Sequence, residues 1–363
     1  MQAALAVAHD LLARLKPLAE ASGAEARTAA FLSAFLAGLK PTRLLTGLGG
    51  HGLLCEFAGP APGPSLLWRA ELDAVCGADG APAHLCGHDG HLAILGGLAS
   101  YFAQNPPARG RVLLACQPAE ETGTGAADFL ADARLNDLAV DRALALHNLP
   151  GLALGRVVCR GGAMNCASVG LAARLSGAAS HAAYPEQGRS PALALARLLA
   201  ELPGLPARVQ GFSLATIVHA RLGRPAFGVS PGQAELLATL RADSDAGLAE
   251  LEAAAAAAIA DACQAAGLEQ AIAWHERFAA TRNHPDAAWT VARAADLAGL
   301  DYQEAAEPFR WSEDFGAFTA RWPGALMVLG AGAGCPPLHS ADYSFPPALL
   351  DPGLRLALAC LAA

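Results

Sequence analysis

The sequence has few charged residues, no block of like charges and no long uninterrupted apolar run. Charged residues make up 16% of the 363 residues, and the formal net charge of −8 disfavours a nucleic-acid-binding surface. No stretch of 18 or more residues is free of charges and helix breakers, as a membrane span would require. The N-terminus contains Asp10, Arg14, Lys16 and Glu20, which is typical of an amphipathic helix rather than a signal peptide. We therefore expect neither a nucleic acid nor a membrane as a partner.

Cysteine usage indicates a reducing compartment. The nine cysteines, an odd number, are scattered through strand-like runs without a repeating spacing. This arrangement fits reduced thiols better than a disulfide framework, and we expect a cytoplasmic protein. The hydrophobic content of 53% supplies a large core, and the length suffices for two domains.

Apolar runs alternate with helical patterns over much of the chain. The runs predicted as buried strands are 53–57, 65–72, 111–117, 142–147 and 324–330. Helical patterns fall between several of them, at 89–104, 124–133 and 286–299. Because buried apolar strands that alternate with helices favour parallel pairing, the sequence predicts an α/β fold with a mostly parallel sheet.

The middle of the chain follows a different order of elements. The predicted strands are 167–175, 212–222, 233–242 and 268–278, and the predicted helices are 190–202 and 244–267. The order β-α-β-β-α-β is that of the ferredoxin-like split motif. We therefore expect an inserted ferredoxin-like α+β domain at 166–280, with 1–165 and 281–363 forming one catalytic domain around it.

Titratable side chains gather after the predicted strands. The segment HLCGHDGH (84–91) precedes a predicted helix, and the candidates that follow strands are Asp73, Glu120 with Glu121, His147 and His339. The carboxyl ends of parallel strands share one edge of a sheet, where ligands usually bind. We therefore expect these side chains to converge at that edge.

The converging donors suit a divalent metal site. They comprise the thiol of Cys86, the imidazoles of His88, His147 and His339, and a carboxylate from the glutamate pair. Zn²⁺ accepts such a mixed set, and Mn²⁺ and Co²⁺ do so less exclusively. Because five donors exceed the four of a closed tetrahedral site, we expect two divalent ions per subunit.

The adjacent glutamates Glu120 and Glu121 would point in opposite directions in an extended loop. One of them can then bind metal while the other stays free to act as a general base. Sequence periodicity alone does not decide which glutamate has which role.

Seven motifs resemble the dinuclear metallopeptidase and amidohydrolase family of aminoacylases, hippurate hydrolases and auxin-conjugate (indole-3-acetyl-amino acid) hydrolases. They cover nearly the whole chain in family order: RAELDAV (69–75), HLCGHDGHLAILGG (84–97), QPAEETGTGA (117–126), ALHNLPG (145–151), GAASHAAYPEQG (177–188), SEDFGAF (312–318) and LHSADYSFP (338–346). The metal loop followed by QPAEE and HNLPG is a specific signature, whereas any one of these motifs alone is weak.

The resemblance implies a role for each candidate in the catalytic domain. Glu120 would be the general base. Asn283 and the glycine-rich loop 330–334, with Gly332, would bind the substrate carboxylate. Independently of the resemblance, Asp73 after its predicted strand would either orient a ligand or cap a loop. The implied metal ligands are Cys86, His88, Glu121, His147 and His339.

The resemblance also implies an activity and an assembly. The activity is metal-dependent hydrolysis of the amide bond of N-acyl amino acids or small peptides, giving a carboxylate and an amino acid. The inserted domain would serve as a lid or dimerisation domain in a homodimer, and His181 on it would stabilise the oxyanion within or across subunits. Two positions depart from the family pattern: Glu71 stands where many relatives have aspartate, and Gly228 where a substrate-binding asparagine is common.

Two other classes of function stay open. A non-catalytic ligand- or metal-binding member of the same fold would not need a second, free glutamate. A cysteine hydrolase would use Cys86 with His88 or His147, and its histidine would have to be free of metal.

Several polar residues near the motifs have structural interpretations. His84 and His91 flank the metal loop as structural residues. Asp89 is predicted to cap the helix that follows it, and Glu313 and Asp314 are predicted to cap a helix at 313–320.

Overall fold

The computed structural model describes residues 1–362, which form two compact units. The first unit contains Met1–Met164 and Thr281–Pro308 and continues from Glu313 to the end of the described residues. The second unit contains Asn165–Ala280 and Phe309–Ser312. The predicted inserted domain at 166–280 differs from this second unit by Asn165 and the short returning segment.

Strands and helices are numbered along the chain. The strands are β1 (Arg43–Leu48), β2 (Gly52–Ala58), β3 (Ser65–Glu71), β4 (Val75–Cys76), β5 (Pro82–Ala83), β6 (Arg111–Gln117), β7 (Arg142–Leu149), β8 (Val157–Cys159), β9 (Gly162–Asn165), β10 (Ala167–Ser176), β11 (Ser180–His181), β12 (Ser213–Leu222), β13 (Val229–Ser230), β14 (Gln233–Ala242), β15 (Glu269–Phe278), β16 (Thr281–Asn283), β17 (Tyr302–Glu304) and β18 (Gly324–Gly330). The helices are α1 (Gln2–Leu15), α2 (Ala26–Gly38), α3 (His88–Gln104), α4 (Gly125–Leu130), α5 (Ala192–Glu201), α6 (Asp245–Ala265), α7 (Pro285–Leu297), α8 (Gly316–Arg321) and α9 (Leu350–Ala362). Within residues 1–362, none of these helices combines the length and the apolarity needed to cross a bilayer.

An eight-stranded mixed sheet forms the centre of the first unit, in the order β1-β2-β6-β3-β7-β18-β8-β17. The middle strands β6, β3, β7 and β18 run parallel, whereas β1, β2 and β8 join their neighbours towards the middle of the sheet in antiparallel pairs. Every residue of β3 and β18 is buried, which explains the almost unbroken apolar runs in their sequences. The predicted α/β fold with a largely parallel central sheet is confirmed.

Helices α1, α3, α7 and α9 pack with the sheet in one apolar cluster. The first two approach closely because α3 has glycine where they meet: a Cβ at Gly96 would lie 2.1 Å from Leu11 Cδ1. Leu11 is fully buried at this contact. The packing therefore anchors α3, whose first residue belongs to the candidate site.

Helix α3 begins at His88, one residue before its predicted start. The predicted N-cap role of Asp89 is wrong, because Gly87 is the N-cap residue and Asp89 lies in the first turn. Gly87 adopts φ 92°, a left-handed conformation that turns the chain sharply into the helix.

A four-stranded antiparallel sheet forms the second unit, in the order β12-β14-β10-β15. Together with α5 and α6 it follows the predicted order β-α-β-β-α-β. Alternate residues of β14, from Ala234 to Ala242, are buried, as expected for a sheet with one face in a core. Leu198 of α5 and Leu251 of α6 join the same core. A lid or dimerisation role for this unit stays a prediction.

Candidate metal centre

The candidate site lies at the carboxyl edge of the parallel strands in the first unit. Strand β3 leads to Asp73, β6 leads to Glu120, β7 carries His147, and β18 leads to the loop with His339. Strand β3 pairs in parallel with both β6 and β7, and β18 pairs in parallel with β7. Their carboxyl ends therefore lie at one edge of the sheet.

Cys86 and His88 stand on either side of Gly87, immediately before α3. A Cβ at Gly87 would lie 2.3 Å from Asn148 Oδ1 and 2.6 Å from the hydroxyl oxygen of Tyr343, so a side chain does not fit there. Both flanking donors are buried, and His88 has no exposed surface. The local backbone thus holds a thiol and an imidazole two positions apart at one place.

Asp73 fixes the orientation of the His88 ring. The Nδ1–H group of His88 donates to the Asp73 carbonyl oxygen at 2.9 Å, which leaves Nε2 facing the site. Asp73 Oδ2 in turn accepts hydrogen bonds from Ser22 Oγ at 2.7 Å and from the Glu121 amide at 3.0 Å. Of the two interpretations from sequence, these contacts favour the orientation of a ligand over the capping of a loop.

The glutamate pair lies on a tight turn. Ala119 has φ 53°, in the left-handed region, and a short 3₁₀ helix follows at Glu120–Thr122. The expectation of an extended loop with opposed side chains is therefore wrong. Glu120 Oε2 and Glu121 Oε1 each lie 3.8 Å from His88 Nε2.

The five side chains predicted as ligands come together in the structure. Cys86 Sγ lies 3.5 Å from His147 Nε2. Glu121 Oε1 lies 3.8 Å from His88 Nε2 and 3.8 Å from His339 Nε2. The donor atoms of three sets lie within 4.8 Å of one another: Cys86–His88–His147, Cys86–Glu121–His339 and His88–Glu120–Glu121.

His339 lies on the open side of this cluster. Its side chain is 54% exposed, whereas Cys86, His88 and His147 are buried. Its backbone has φ 64° and its amide donates to the Leu85 carbonyl oxygen at 2.8 Å. The loop after β18 is thus tied to the metal loop, and solvent reaches the cluster at His339.

The donor set fits a pair of divalent ions. Two buried atoms at its centre, His88 Nε2 and Glu121 Oε1, have no hydrogen-bond partner among the residues that the structure describes. Buried polar atoms without a partner are unfavourable, and one cation within Cys86–His88–His147 and one within Cys86–Glu121–His339 would satisfy them. A thiolate, imidazoles and a carboxylate together form a mixed set that Zn²⁺ binds well.

Arg69 is the centre of a buried charge network beside the glutamate pair. Its guanidinium has no exposed surface and contacts Glu71, Glu313 Oε1 at 2.9 Å and Asp314 Oδ1 at 2.7 Å. Gln117 bridges two members, since its Oε1 accepts from Arg69 Nε and its Nε2 donates to Asp314 Oδ2, both at 2.7 Å. Charged hydrogen bonds hold this network together beside the glutamate pair.

Glu313 and Asp314 do not cap the helix that follows them, and that prediction is wrong. Helix α8 begins at Gly316 and has no side-chain cap. Both acids instead turn into the interior to pair with Arg69, since a buried guanidinium without partners would be strongly destabilising. Their oxygens lie within 4.8 Å of a Glu120 oxygen.

Sequence analysis missed the Arg69 network as a functional feature. The one available signal was the pair of charges, Arg69 and Glu71, inside the otherwise apolar run SLLWRAEL. Such charges in a fully buried strand need partners, but nothing local indicates which residues supply them.

His91 is held at both ring nitrogens. Its Nδ1 lies 2.7 Å from Glu71 Oε2, and its Nε2 accepts a hydrogen bond from the Asn148 amide at 3.1 Å. The proton therefore sits on Nδ1, and both ring nitrogens already have hydrogen-bond partners. These contacts agree with a structural role for His91.

Burial shifts the pKa values of Cys86, Glu121 and His147 away from their charged forms. It raises the pKa of Cys86 to about 12 and that of Glu121 to about 7, and it lowers the pKa of His147 to about 3. Burial, followed by the charge of Glu313, raises the pKa of Glu120 well above its usual value. A bound divalent cation counters such shifts, because it stabilises thiolate and carboxylate directly.

Three predicted residues are not part of the five-donor cluster. His181 is an exposed residue of β11 in the second unit, where its Nδ1 accepts from the Ala183 amide at 3.0 Å. The Asn283 side chain is buried and bonds both the amide and the carbonyl oxygen of Leu326 at 2.8 Å. Gly332 has φ 109°. The catalytic role of His181 and the substrate contacts of Asn283 and Gly332 stay predictions.

A mixed sheet with metal-type donors at the carboxyl edge of its parallel strands is the arrangement expected of a metal-dependent hydrolase. Residues 67–363 match the model of peptidase family M20/M25/M40, and the chain belongs to this family. It is 28% identical to an N-acetyl-L-cysteine deacetylase of Bacillus subtilis over 80% of this chain and 71% of that protein. An N-acetyldiaminopimelate deacetylase of Lactiplantibacillus plantarum is 35% identical over 44% of this chain and 42% of its own length.

A solved structure has the same fold over the whole chain. The YxeP protein of Bacillus subtilis, described as a dinuclear metal-binding peptidase of the M20 family, superposes with a TM-score of 0.82 at 21% identity. The match covers all of this chain and 98% of that protein. At this level of identity the comparison supports the fold.

Proposed function

We propose that this protein is an N-acyl-amino-acid amidohydrolase that cleaves the amide bond of N-acyl amino acids or small peptides. The observation that carries the proposal is the meeting of five metal-type donors with one further carboxylate, that of Glu120, in the same cluster. A site built only to bind a metal has no need of that additional carboxylate.

The five donors would hold two divalent ions, Zn²⁺ or Mn²⁺, with Co²⁺ as a third candidate. The ligands would be Cys86, His88, Glu121, His147 and His339. Bound ions of this kind supply Lewis acidity, which lowers the pKa of a water molecule and polarises the substrate carbonyl.

Glu120 would act as the general base. It is 5% exposed, lies 3.8 Å from His88 Nε2 and approaches Glu313 and Asp314 on its other side. In the reaction it would take a proton from the attacking water and pass it to the departing amine. In the metal-free protein burial, followed by the charge of Glu313, raises the pKa of Glu120, and the bound cations would lower that pKa so that the carboxylate can accept a proton.

The second unit would complete the reaction as a lid. We propose that His181 stabilises the oxyanion of the tetrahedral intermediate, within or across the subunits of a homodimer. Asn283 and Gly332 would contact the carboxylate of the substrate. A cytoplasmic location is consistent with the cysteines, all nine of which are free thiols.

The names of the relatives support the substrate class. Two of them are named as deacetylases of N-acetyl-L-cysteine and of N-acetyldiaminopimelate, which are N-acylated amino acids. We therefore place acetyl-amino acids first among the substrates to be tested, with benzoyl-amino acids and dipeptides after them.

A thiol hydrolase is the less favoured alternative. Cys86 lies 3.5 Å from His147, but burial raises the thiol pKa to about 12 and lowers the histidine pKa to about 3. A nucleophilic cysteine needs the opposite, a lowered thiol pKa beside a basic histidine.

The test is turnover by purified protein loaded in turn with Zn²⁺, Mn²⁺ and Co²⁺. We expect hydrolysis of N-acetyl-amino acids that a chelator abolishes and that metal restores. The Glu120→Gln variant should lose about 10²–10⁴-fold in kcat while its metal content stays at two ions per chain.

The matched control is Glu250→Gln, which makes the same change at an exposed residue of α6. Full activity of Glu120→Gln would contradict the assignment of the base. Activity that survives chelation but disappears on alkylation would favour the thiol route, and no turnover with any metal or acyl-amino acid would favour a binding protein.

A further inference from the structure

The N-terminal segment Glu20–Glu25 borders the carboxylate loop of the site. The amide of Ala74 donates to the Glu20 carbonyl oxygen at 2.8 Å. Two residues further along, Ser22 Oγ donates to Asp73 Oδ2, which also accepts the Glu121 amide. A segment far away in sequence from the metal-binding motifs is therefore tied to them.

Glu25 makes the most direct of these connections. Its carboxylate is completely buried, and Oε1 accepts hydrogen bonds from the Gly23 amide at 2.7 Å and from the Ala119 amide at 2.8 Å. Glu25 precedes α2, but its side chain does not cap that helix. The carboxylate thus serves the loop at Ala119 rather than the helix beside it.

Ala119 is the residue that sets the direction of the glutamate pair. Its φ of 53° is unfavourable for a residue with a Cβ, and the turn Glu120–Thr122 begins immediately after it. If Ala119 relaxed to an ordinary conformation, the peptide that follows would rotate and both glutamates would leave their positions near His88. The strained conformation therefore needs a partner that stabilises it.

We propose that Glu25 is a positioning residue, which holds Ala119 in the left-handed conformation and thereby presents Glu120 and Glu121 to the metal centre. The structural part of this inference concerns the loop itself, and only its catalytic consequence rests on the proposed function. The acceptor oxygen of Glu25 is the required feature, because it is the atom that binds the Ala119 amide.

The first test compares Glu25→Ala with Glu25→Gln by hydrogen exchange of the segment 118–124. Glutamine keeps a side-chain oxygen at the same reach, whereas alanine removes the acceptor. We expect faster exchange in Glu25→Ala and near-native exchange in Glu25→Gln. Unchanged exchange in Glu25→Ala would overturn the proposal, whatever the protein hydrolyses.

Glu20→Ala is the matched control. Glu20 is another buried carboxylate on the same segment, and its oxygens accept from the Thr28 amide at 2.8 Å and the Arg27 amide at 3.2 Å, at the start of α2. Its loss should lower thermal stability without faster exchange at 118–124. Equal effects of Glu20→Ala and Glu25→Ala on that segment would show general loosening and contradict a specific role for Glu25.

The second test measures metal affinity and kinetics. Glu25→Ala should weaken metal binding in chelator competition and, at saturating metal, lower kcat about tenfold or more with KM within about twofold, because misplacement of a base affects the chemical step. Glu25→Gln should restore both properties. Equal damage by glutamine and alanine would overturn the proposal.

A second substitution, at Ala119, tests whether Glu25 acts through the conformation of that residue. Ala119→Gly removes the penalty of the left-handed conformation, so it should return part of the metal affinity and kcat lost in Glu25→Ala. Losses that simply add in the double variant would contradict the coupling. If Glu25→Ala does not fold, Glu25→Asp supplies the comparison, because its shorter side chain withdraws the acceptor from Ala119.

These readouts separate the two proposals. If the wild-type protein hydrolyses no N-acyl amino acid or peptide, the proposed function fails, but the exchange and metal-affinity comparisons still decide the role of Glu25. If turnover is present and the exchange of 118–124 is the same in all variants, the function stands and the positioning role fails.

Discussion

The two units of this protein bury different kinds of residue. The first unit encloses Arg69 with several carboxylates and histidines, whereas the buried polar residues of the second unit are Asn165 and Ser168, neither of them charged. The core of the second unit is built mainly from leucine and alanine. Buried charge is thus confined to the unit that carries the candidate site, as expected where charged groups are kept for chemistry.

The pKa values show that burial of these charged groups is unfavourable. Burial raises the pKa of Glu25, and that of Asp314 well above its usual value, although Arg69 contacts Asp314. The first unit therefore gives up part of its stability to keep these groups in place, whereas the core of the second is apolar. Substitutions in the two units test this contrast.

Replacement of Arg69, the positive charge at the centre of the network, should have the largest effect on stability. Arg69→Met keeps most of the side-chain volume but leaves Glu71, Glu313 and Asp314 without their partner. We expect a loss of about 3–5 kcal/mol in the free energy of unfolding and a weaker affinity for metal. Denaturant unfolding and chelator competition measure the two quantities, and a loss below about 1 kcal/mol would show that the network does not depend on Arg69.

A cavity in the second unit should affect stability but not the site. Leu240 is fully buried in that core, and Leu240→Ala should lower the free energy of unfolding of the second unit by about 3 kcal/mol. Metal affinity should stay at the wild-type value. A parallel fall in metal affinity would remove the distinction between the units.

The affinity for metal should rise with pH. In the metal-free protein the thiol of Cys86, with a pKa of about 12, and Glu121, with a pKa of about 7, are both protonated below neutrality. Since ligands bind in the deprotonated form, each released proton raises the apparent association constant about tenfold per pH unit, or about 1.4 kcal/mol.

The sign of this effect and its change of slope can both be measured. Glu121 releases a proton on metal binding only below its pKa of about 7, so chelator competition should give a slope that falls by about one unit near neutrality. An affinity independent of pH would contradict ligation by these two groups.

Loss of an exposed ion pair of the second unit should have the smallest effect on stability. Arg221 Nη2 lies 3.2 Å from Glu235 Oε2, and its side chain is 66% exposed. Arg221→Met should change the free energy of unfolding by less than about 1 kcal/mol, and added salt should reduce even that. It is the matched surface control for Arg69→Met, and equal losses in the two variants would mean that burial does not set the value of these pairs.

Much of the fold could be predicted because local patterns report burial. The apolar runs of β3, β6 and β18 and the alternation in β14 follow directly from the sides of each strand that face a core. The convergence of Cys86 with the residues after these strands followed from parallel pairing, since parallel strands deliver their carboxyl ends to one edge.

The remaining features depend on contacts between distant positions. Nothing near Arg69 in sequence indicates that it pairs with Glu313 and Asp314, which lie more than 240 positions away. The turn at Ala119 is equally hidden, because its left-handed conformation depends on a carboxylate from the N-terminal segment. Local patterns report which faces are buried, but not which polar groups meet inside.

The close packing around Gly87 couples the residue choices of three separate stretches of the chain. Any side chain at this position would collide with Asn148 Oδ1 and the Tyr343 hydroxyl. A homologue that carried alanine there would need a smaller residue opposite it, most directly in place of Asn148 or Tyr343. We therefore expect Gly87, Asn148 and Tyr343 to covary among homologues. A change in the loop between Cys86 and His88 would then require a change in β7 or in the loop after β18.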